Sequence, residues 1–169
     1  MCKFKRIILP PHGSQNLNYL PQITKLYEKY SKFLQDDFAP KSALRHILNT
    51  APNLWSITDF DDEFAGFVAL DNFTGNNTTN FSAEVSTCFE RKFWGKFTKN
   101  CAKIFFKKCF EIYGFYKIKA LVFPDNFRVI TLLKTSGFEY ETTMPDETIR
   151  NGKLQDIDVY SLKNRFINF

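Results

Sequence analysis

The segment from Phe81 to Phe138 constrains the fold more than any other part of the chain. It begins with FSAEVSTCF, passes through ERKFWGKFTKNCAKIFFKKCFEIYGF and YKIKALVFPDN, and closes with NFRVITLLKTSGF. Its pattern predicts a strand, a tight turn, a long helix, a strand and a second helix stopped by glycine. A strand that turns sharply into a helix is a ready anion site. The first N–H groups of the helix lack internal partners, and the helix dipole favours negative charge there. Arg91, Lys92, Lys96 and Lys99 add cations along the same turn. The local physics therefore points to a phosphate-bearing ligand.

The flanking sequence supplies the rest of a mixed fold. Phe4 to Leu9 reads as a short first strand, followed by the turn cluster Pro10 to Ser14. Leu20, Ile23, Leu26, Tyr27, Tyr30, Phe33 and Leu34 recur at helical spacing, opposite Lys25, Glu28, Lys29 and Lys32. This predicts a helix over 20–34, broken by Asp36 to Pro40. A shorter helix follows over Lys41 to Asn49, stopped by Pro52. Leu54 to Phe60 and Phe64 to Leu70 form a hairpin around Asp61-Asp62. The polar stretch Asp71 to Asn80 reads as a mobile loop.

The long helix runs from about Phe97 to Tyr113, with Phe97, Cys101, Ile104, Phe105, Cys109 and Ile112 towards the core. On its basic face, Lys103 and Lys107 read as solvated, whereas Lys96 and Lys99 lie nearer the anion end. Gly114 caps this helix, and Lys117 to Phe123 forms the next strand. Pro124 ends that strand, and Asp125 or Asn126 caps the helix that stops at Gly137. Phe138 returns to the core. Glu139 to Met144 and Gln155 to Leu162 make the last antiparallel pair, joined by a polar loop over Pro145 to Lys153. Pattern alone gives a mixed α/β sheet.

Bulk properties narrow the class. A chain of 169 residues most simply forms one domain, residues 1–169, with a sizeable core. Its 20 Phe residues imply aromatic packing. A formal charge of +5 permits phosphates, nucleic acid or an acidic surface and specifies none of them. No apolar run approaches the roughly 18–20 residues that span a bilayer, and the start at Met1 has too short an apolar core for a signal peptide. No membrane partner is expected. Cys101 and Cys109 on one helix would lie about 12 Å apart by rise, too far to bridge. Free thiols at Cys2, Cys88, Cys101 and Cys109 suit a reducing compartment, the cytoplasm. No Cys/His cluster suggests a metal. Asn-x-Ser/Thr matches at Asn72, Asn76, Asn77 and Asn80 read as accidents without a secretory signal.

Three motifs carry a family resemblance. Phe93-Trp94-Gly95-Lys96 stands before a helix, Val122-Phe123-Pro124-Asp125-Asn126 precedes another, and Leu132-Leu133-Lys134-Thr135-Ser136-Gly137-Phe138 closes it. In order and spacing these resemble the GNAT N-acetyltransferases, nearest their ribosomal-protein-acetylating branch, over about the last two thirds of the chain. The resemblance implies an α/β (α+β) fold of element order βααβββαβαββ. That is a single GNAT-like domain with a mixed, mostly antiparallel sheet of about seven strands flanked by about four helices. It also implies acetyl-CoA as co-substrate and an amine acceptor, either a small molecule or a protein N-terminus, attacking the thioester directly.

The same resemblance assigns residues. The pantetheine arm would lie along Thr87, Cys88 and Phe89, held by main-chain hydrogen bonds. The pyrophosphate would sit over Trp94, Gly95, Lys96, Phe97, Thr98, Lys99 and Asn100. The turn departs from the family pattern, since Phe97 and Lys99 replace two small residues. Phe97 either crowds the ligand or turns into the core. Lys99 either adds a cation or marks a site no longer used. Leu133 stands where many members carry a Tyr acid, and Val129 where the ribosomal-protein branch carries Ser. Asn126 matches the family and reads equally as an arm-binding residue or as a helix cap.

Glu84 is the best candidate base, a carboxylate inside an apolar strand where desolvation would raise its pKa. The plainer reading is a solvent-facing Glu. Alternation puts Glu84, Ser86 and Cys88 on one side and Ala83, Val85, Thr87 and Phe89 on the other. With His12 and His46 far off in sequence, Cys88 reads as a buried thiol rather than a nucleophile. Trp55 and Asp71-Asn72-Phe73 are weaker candidates for shaping an acceptor pocket, and Glu141, Asp146 and Glu147 for attracting an amine.

Two functional readings remain open from sequence. One is an acetyl-CoA-dependent N-acetyltransferase. The other is a GNAT-fold chain that has lost transfer and serves as a binding or assembly module, for example one encoded by a phage. Nucleic-acid binding through the lysine face lacks an aromatic stacking platform or a reading helix.

Overall fold

The computed structural model describes residues 2–76 and 80–164. The Met1 start and the Asn77 acceptor match lie outside the described residues. Seven strands form one sheet: β1 (Lys3–Arg6), β2 (Leu54–Thr58), β3 (Phe64–Gly75), β4 (Asn80–Phe89), β5 (Lys117–Val122), β6 (Glu139–Arg150) and β7 (Lys153–Lys163). Their order is β1-β2-β3-β4-β5-β7-β6. The helices are α1 (Leu20–Lys29), α2 (Ser31–Leu34), α3 (Ala43–Thr50), α4 (Lys96–Glu111) and α5 (Phe127–Thr135). The element order is the one expected, with the first predicted helix divided into α1 and α2. The chain falls into two compact units, and β3, β4 and α4 each contribute a part to both.

The first unit takes the chain up to Leu70 together with Ser86–Asn100. Pro21 stands in the first turn of α1, where its missing N–H costs nothing. Ile23, Leu26 and Tyr27 of α1 pack with Ile47 of α3, Leu54 of β2 and Phe67 of β3 in one buried cluster. The helix predicted over 20–34 breaks because Tyr30 leaves helical geometry at φ −112° and ψ 16°. Its ring lies 5.9 Å from that of Trp94. The Ser42 hydroxyl caps α3 by accepting from the Arg45 N–H at 3.3 Å. β2 pairs antiparallel with both β1 and β3.

The second unit holds Asp71–Val85 and the chain from Cys101 onward. β4 runs parallel to β5 over Ser82–Glu84 against Lys117–Lys119. β5 pairs antiparallel with β7, and β7 with β6. Cys101, Phe105 and Cys109 of α4 are buried, as is Phe106, whose ring meets Phe138 at 5.0 Å. Ile112, expected in the core, is 68% exposed because the helix ends at Glu111, one residue before it. Gly114 at φ +70° lets the Phe115 N–H reach the Cys109 carbonyl at 3.0 Å, closing the helix. Gly137 at φ +92° does the same for α5, where the Phe138 N–H meets the Leu133 carbonyl at 3.0 Å.

Two loop expectations are corrected. Asp71 to Gly75 extend β3 instead of opening a loop. The Thr74 and Ser82 hydroxyls meet across β3 and β4 at 2.7 Å, and polar residues serve here because this part of β3 is solvated. The polar segment from Pro145 to Lys153 is largely strand as well. Pro145 is tolerated because β6 is the sheet edge, where a missing N–H breaks no ladder bond on the open side. The turn itself is Asn151-Gly152, at φ +54° and +69°, the two positive angles that a two-residue type I′ hairpin demands.

Candidate functional site

The turn leading into α4 is built by local hydrogen bonds in the first unit. The Glu90 N–H ties the end of β4 to the Ala65 carbonyl at 2.9 Å. A single 3-10 turn over Arg91–Phe93 follows, and the Trp94 indole Nε1 reaches back to the Phe89 carbonyl at 3.0 Å. Gly95 then takes φ +98°, a conformation suited to glycine. The Lys99 N–H donates to the Gly95 carbonyl at 3.1 Å, the first bond of the helix. The N–H groups of Lys96, Phe97 and Thr98 precede that bond and lie at the positive end of the dipole.

Side chains leave this helix end open. Thr98 is buried, and its hydroxyl donates to the Phe93 carbonyl at 2.8 Å. Phe97 is half-buried with its ring 4.9 Å from that of Phe93. An added Cβ at Gly95 would meet nothing within 4 Å. Lys96, Lys99 and Asn100 are exposed. Among the described residues neither of these lysines joins an ion pair, whereas Lys92 is paired with Glu63 and Lys29 with Glu90.

The end of β4 is closely packed against β3. The Thr87 hydroxyl donates to the Phe67 carbonyl at 2.8 Å. A Cβ on Gly66 would stand 2.2 Å from the Cys88 carbonyl oxygen, so glycine permits this approach. Burial pushes the Cys88 thiol up to about 12. It is therefore no thiolate at neutral pH. Phe89 is buried.

A second group of polar side chains lies in the other unit. The Glu84 carboxylate accepts from Asn72 Nδ2 at 2.7 Å and from Lys119 Nζ at 3.0 Å, on separate oxygens. The apolar setting expected for Glu84 is thus corrected: its neighbours are an amide and an ammonium. Asp71 stands beside this pair, its carboxyl raised by burial and then by the Glu84 charge. Sequence reading grouped Asp71 with an acceptor loop and missed it as a titratable group. The available signal was its place directly after the apolar run Ala65–Leu70.

Other candidates are committed elsewhere. Burial opposes it, but Lys117, Ser161 and Lys163 hold Glu141 below the usual carboxylate range. Trp55 is buried under Arg6. Asp146 and Glu147 are exposed. Asn126 caps α5, its Oδ1 accepting from the Val129 N–H at 3.4 Å. Leu133, at the position of the family's Tyr, is buried. Among the described residues no group of three or more His, Cys, Asp or Glu could hold a metal, and no helix is long and apolar enough to cross a membrane.

Residues 15–139 match the model of the acetyltransferase (GNAT) domain. No curated protein matches the chain. Among solved structures it is similar to a spermidine N-acetyltransferase from Vibrio cholerae in complex with CoA and spermine. The TM-score is 0.74 at 19% identity, covering 96% of this chain and 95% of that one. It is also similar to the ribosomal-protein-S5-alanine acetyltransferase from Vibrio fischeri, with a TM-score of 0.71 at 16% identity over 90% and 91% of the two chains. A GNAT-family acetyltransferase from Bacillus anthracis gives a TM-score of 0.74 at 10% identity over 96% and 94%. At these identities the likeness is one of fold.

Proposed function

Since the chain belongs to the GNAT acetyltransferase family, we propose that it is an N-acetyltransferase carrying an acetyl group from acetyl-CoA to an amine. GNAT acetyltransferases use acetyl-CoA. The observation that carries the reading is the open start of α4: a left-handed Gly95, three N–H groups ahead of the first helical bond, and two exposed lysines. These features fit a diphosphate. Trp94 to Asn100 would hold it, and the main chain of Thr87, Cys88 and Phe89 would hold the arm. Phe97, resting on Phe93, then takes part through its backbone.

Bound acetyl-CoA supplies a thioester whose acyl carbon accepts the amine nitrogen. One N–C bond forms, the C–S bond breaks with its electron pair leaving on the CoA sulfur as thiolate, and the amine gives up a proton. Glu84 is assigned as the group that receives it. Asn72 and Lys119 fix that carboxylate in place. Asn126 is assigned to the arm through its amide nitrogen, the oxygen being used by the cap. The acceptor is an amine; we propose a small polyamine and a protein N-terminus as the two classes, the structural neighbours being described as acetyltransferases of spermidine and of ribosomal-protein-S5 alanine. We assign the whole of 1–169 to one acetyltransferase domain and place it in the cytoplasm, where four cysteines in the thiol form are at home. Phe97, Lys99 and Leu133 depart from the family pattern, but the family match and the intact strand–turn–helix frame favour transfer over the transfer-deficient alternative.

Thermal denaturation with acetyl-CoA, CoA or buffer alone tests the reading. Selective binding raises the midpoint by mass action. No shift at millimolar acetyl-CoA would overturn it. With binding established, release of CoA thiol in the presence of spermidine or of short peptides with free N-termini separates the acceptor classes.

A further inference from the structure

We propose that Arg150 is a positioning residue that holds the β5–α5 turn, and with it Asn126, from the tip of the β6–β7 hairpin. Arg150 Nη2 lies 2.7 Å from Asp125 Oδ2 and 3.2 Å from Gln155 Oε1. The guanidinium carbon sits 4.0 Å from the centroid of the Phe123 ring. One side chain thus stacks on the residue before Pro124, pairs with the residue after it, and is braced by its own hairpin.

Burial separates this contact from an ordinary surface pair. The Arg150 side chain is 14% exposed although its partner Asp125 is 57% exposed. The turn it grips is short: the Asn126 N–H donates to the Phe123 carbonyl at 2.9 Å, and Asn126 Oδ1 caps the helix at Val129. With Phe123 and Asp125 gripped, little freedom is left to Asn126, which follows them directly and is itself the cap of the helix. Arg150 is fixed in turn by its backbone, since it pairs with Lys153 across Asn151-Gly152. A guanidinium suits the task because a planar cation can stack on an aromatic face while its edge donates in two directions. An ammonium cannot do both.

The consequence is that the hairpin tip, distant in sequence from the strand–turn–helix motifs, governs where the Asn126 amide points. The proposal deepens the acetyltransferase reading and rests on it for its kinetic consequence, but not for its structural one. Amide hydrogen exchange at Val129 reports the Asn126 cap without any ligand. In R150M and D125N this exchange is expected to accelerate roughly tenfold while exchange in the β5–β7 ladder holds. R150K restores the charge but not the stacking and is expected to recover only part of the protection. Unchanged Val129 exchange in D125N, an isosteric and exposed change that leaves folding intact, would overturn the proposal.

Kinetics extend the test. R150M and N126A are each expected to raise the KM for acetyl-CoA roughly tenfold, and the double variant to be no worse than either alone. Strictly additive effects, or an R150M effect confined to the melting midpoint, would overturn it. Failure of wild-type protein to shift its midpoint with acetyl-CoA would instead sink the acetyltransferase reading, and Val129 exchange would still decide the role of Arg150.

Discussion

Lys119 and Glu84 face each other at the last pair of the β4–β5 ladder, the ammonium 3.0 Å from one carboxylate oxygen. Both side chains are largely shielded, at 25% and 17% exposure. With Asn72 on the other oxygen, the carboxylate has a set orientation.

If Glu84 takes the amine's proton, Glu84→Gln keeps the shape and the Asn72 contact but removes the base. The turnover number is expected to fall about 10²–10⁴-fold, with the KM for acetyl-CoA unchanged. Steady-state rates at varied acetyl-CoA and amine measure this. A variant turning over at the wild-type rate would remove Glu84 from the mechanism.

Asp71 makes stability depend on pH in a definite direction. Its folded pKa is raised above the ordinary 3.8 by burial and by Glu84. Between these two values the native chain binds more protons than the unfolded one, so stability declines as pH rises through the window. Asp71→Asn removes the penalty. Its urea midpoint is expected to exceed that of wild type at neutral pH and to match it at about pH 3, where the acid is uncharged in both states. A variant less stable than wild type at neutral pH would contradict this.

Gly66 and Gly95 should respond differently to a methyl group. At Gly66 the new Cβ would stand 2.2 Å from the Cys88 carbonyl and 3.0 Å from the Phe89 Cα, both backbone atoms. Gly66→Ala is expected to cost about 1–3 kcal/mol and to weaken acetyl-CoA binding by displacing the end of β4. At Gly95 there is room, and only the positive φ opposes substitution. Gly95→Ala is expected to cost about 1 kcal/mol. Chemical denaturation with and without acetyl-CoA resolves the two cases.

The motifs that were legible in the chain are those whose signals are local. Gly114, Asn126 and Gly137 end or start helices through contacts within a few residues, so composition and spacing suffice. The α4 turn is contiguous, and its residues could be named in advance for the same reason. The Asp71, Glu84 and Lys119 grouping draws on three different strands, and no local period reveals which face each will share. The Asn151-Gly152 hairpin was hidden by competition between signals. Pro145 reads as a strand terminator until β6 is known to be an edge. Ile112 kept the helical period, but the helix had already ended.

Pro145 bears on behaviour in concentrated solution as well. The β6 ladder is irregular between Met144 and Thr148, with Asp146 at φ +51°. An incoming chain seeking to zip onto that border would find its run of donors interrupted by an imino ring and a bent backbone. The kink thus acts as a guard against runaway polymerisation, built into the margin where such growth would begin.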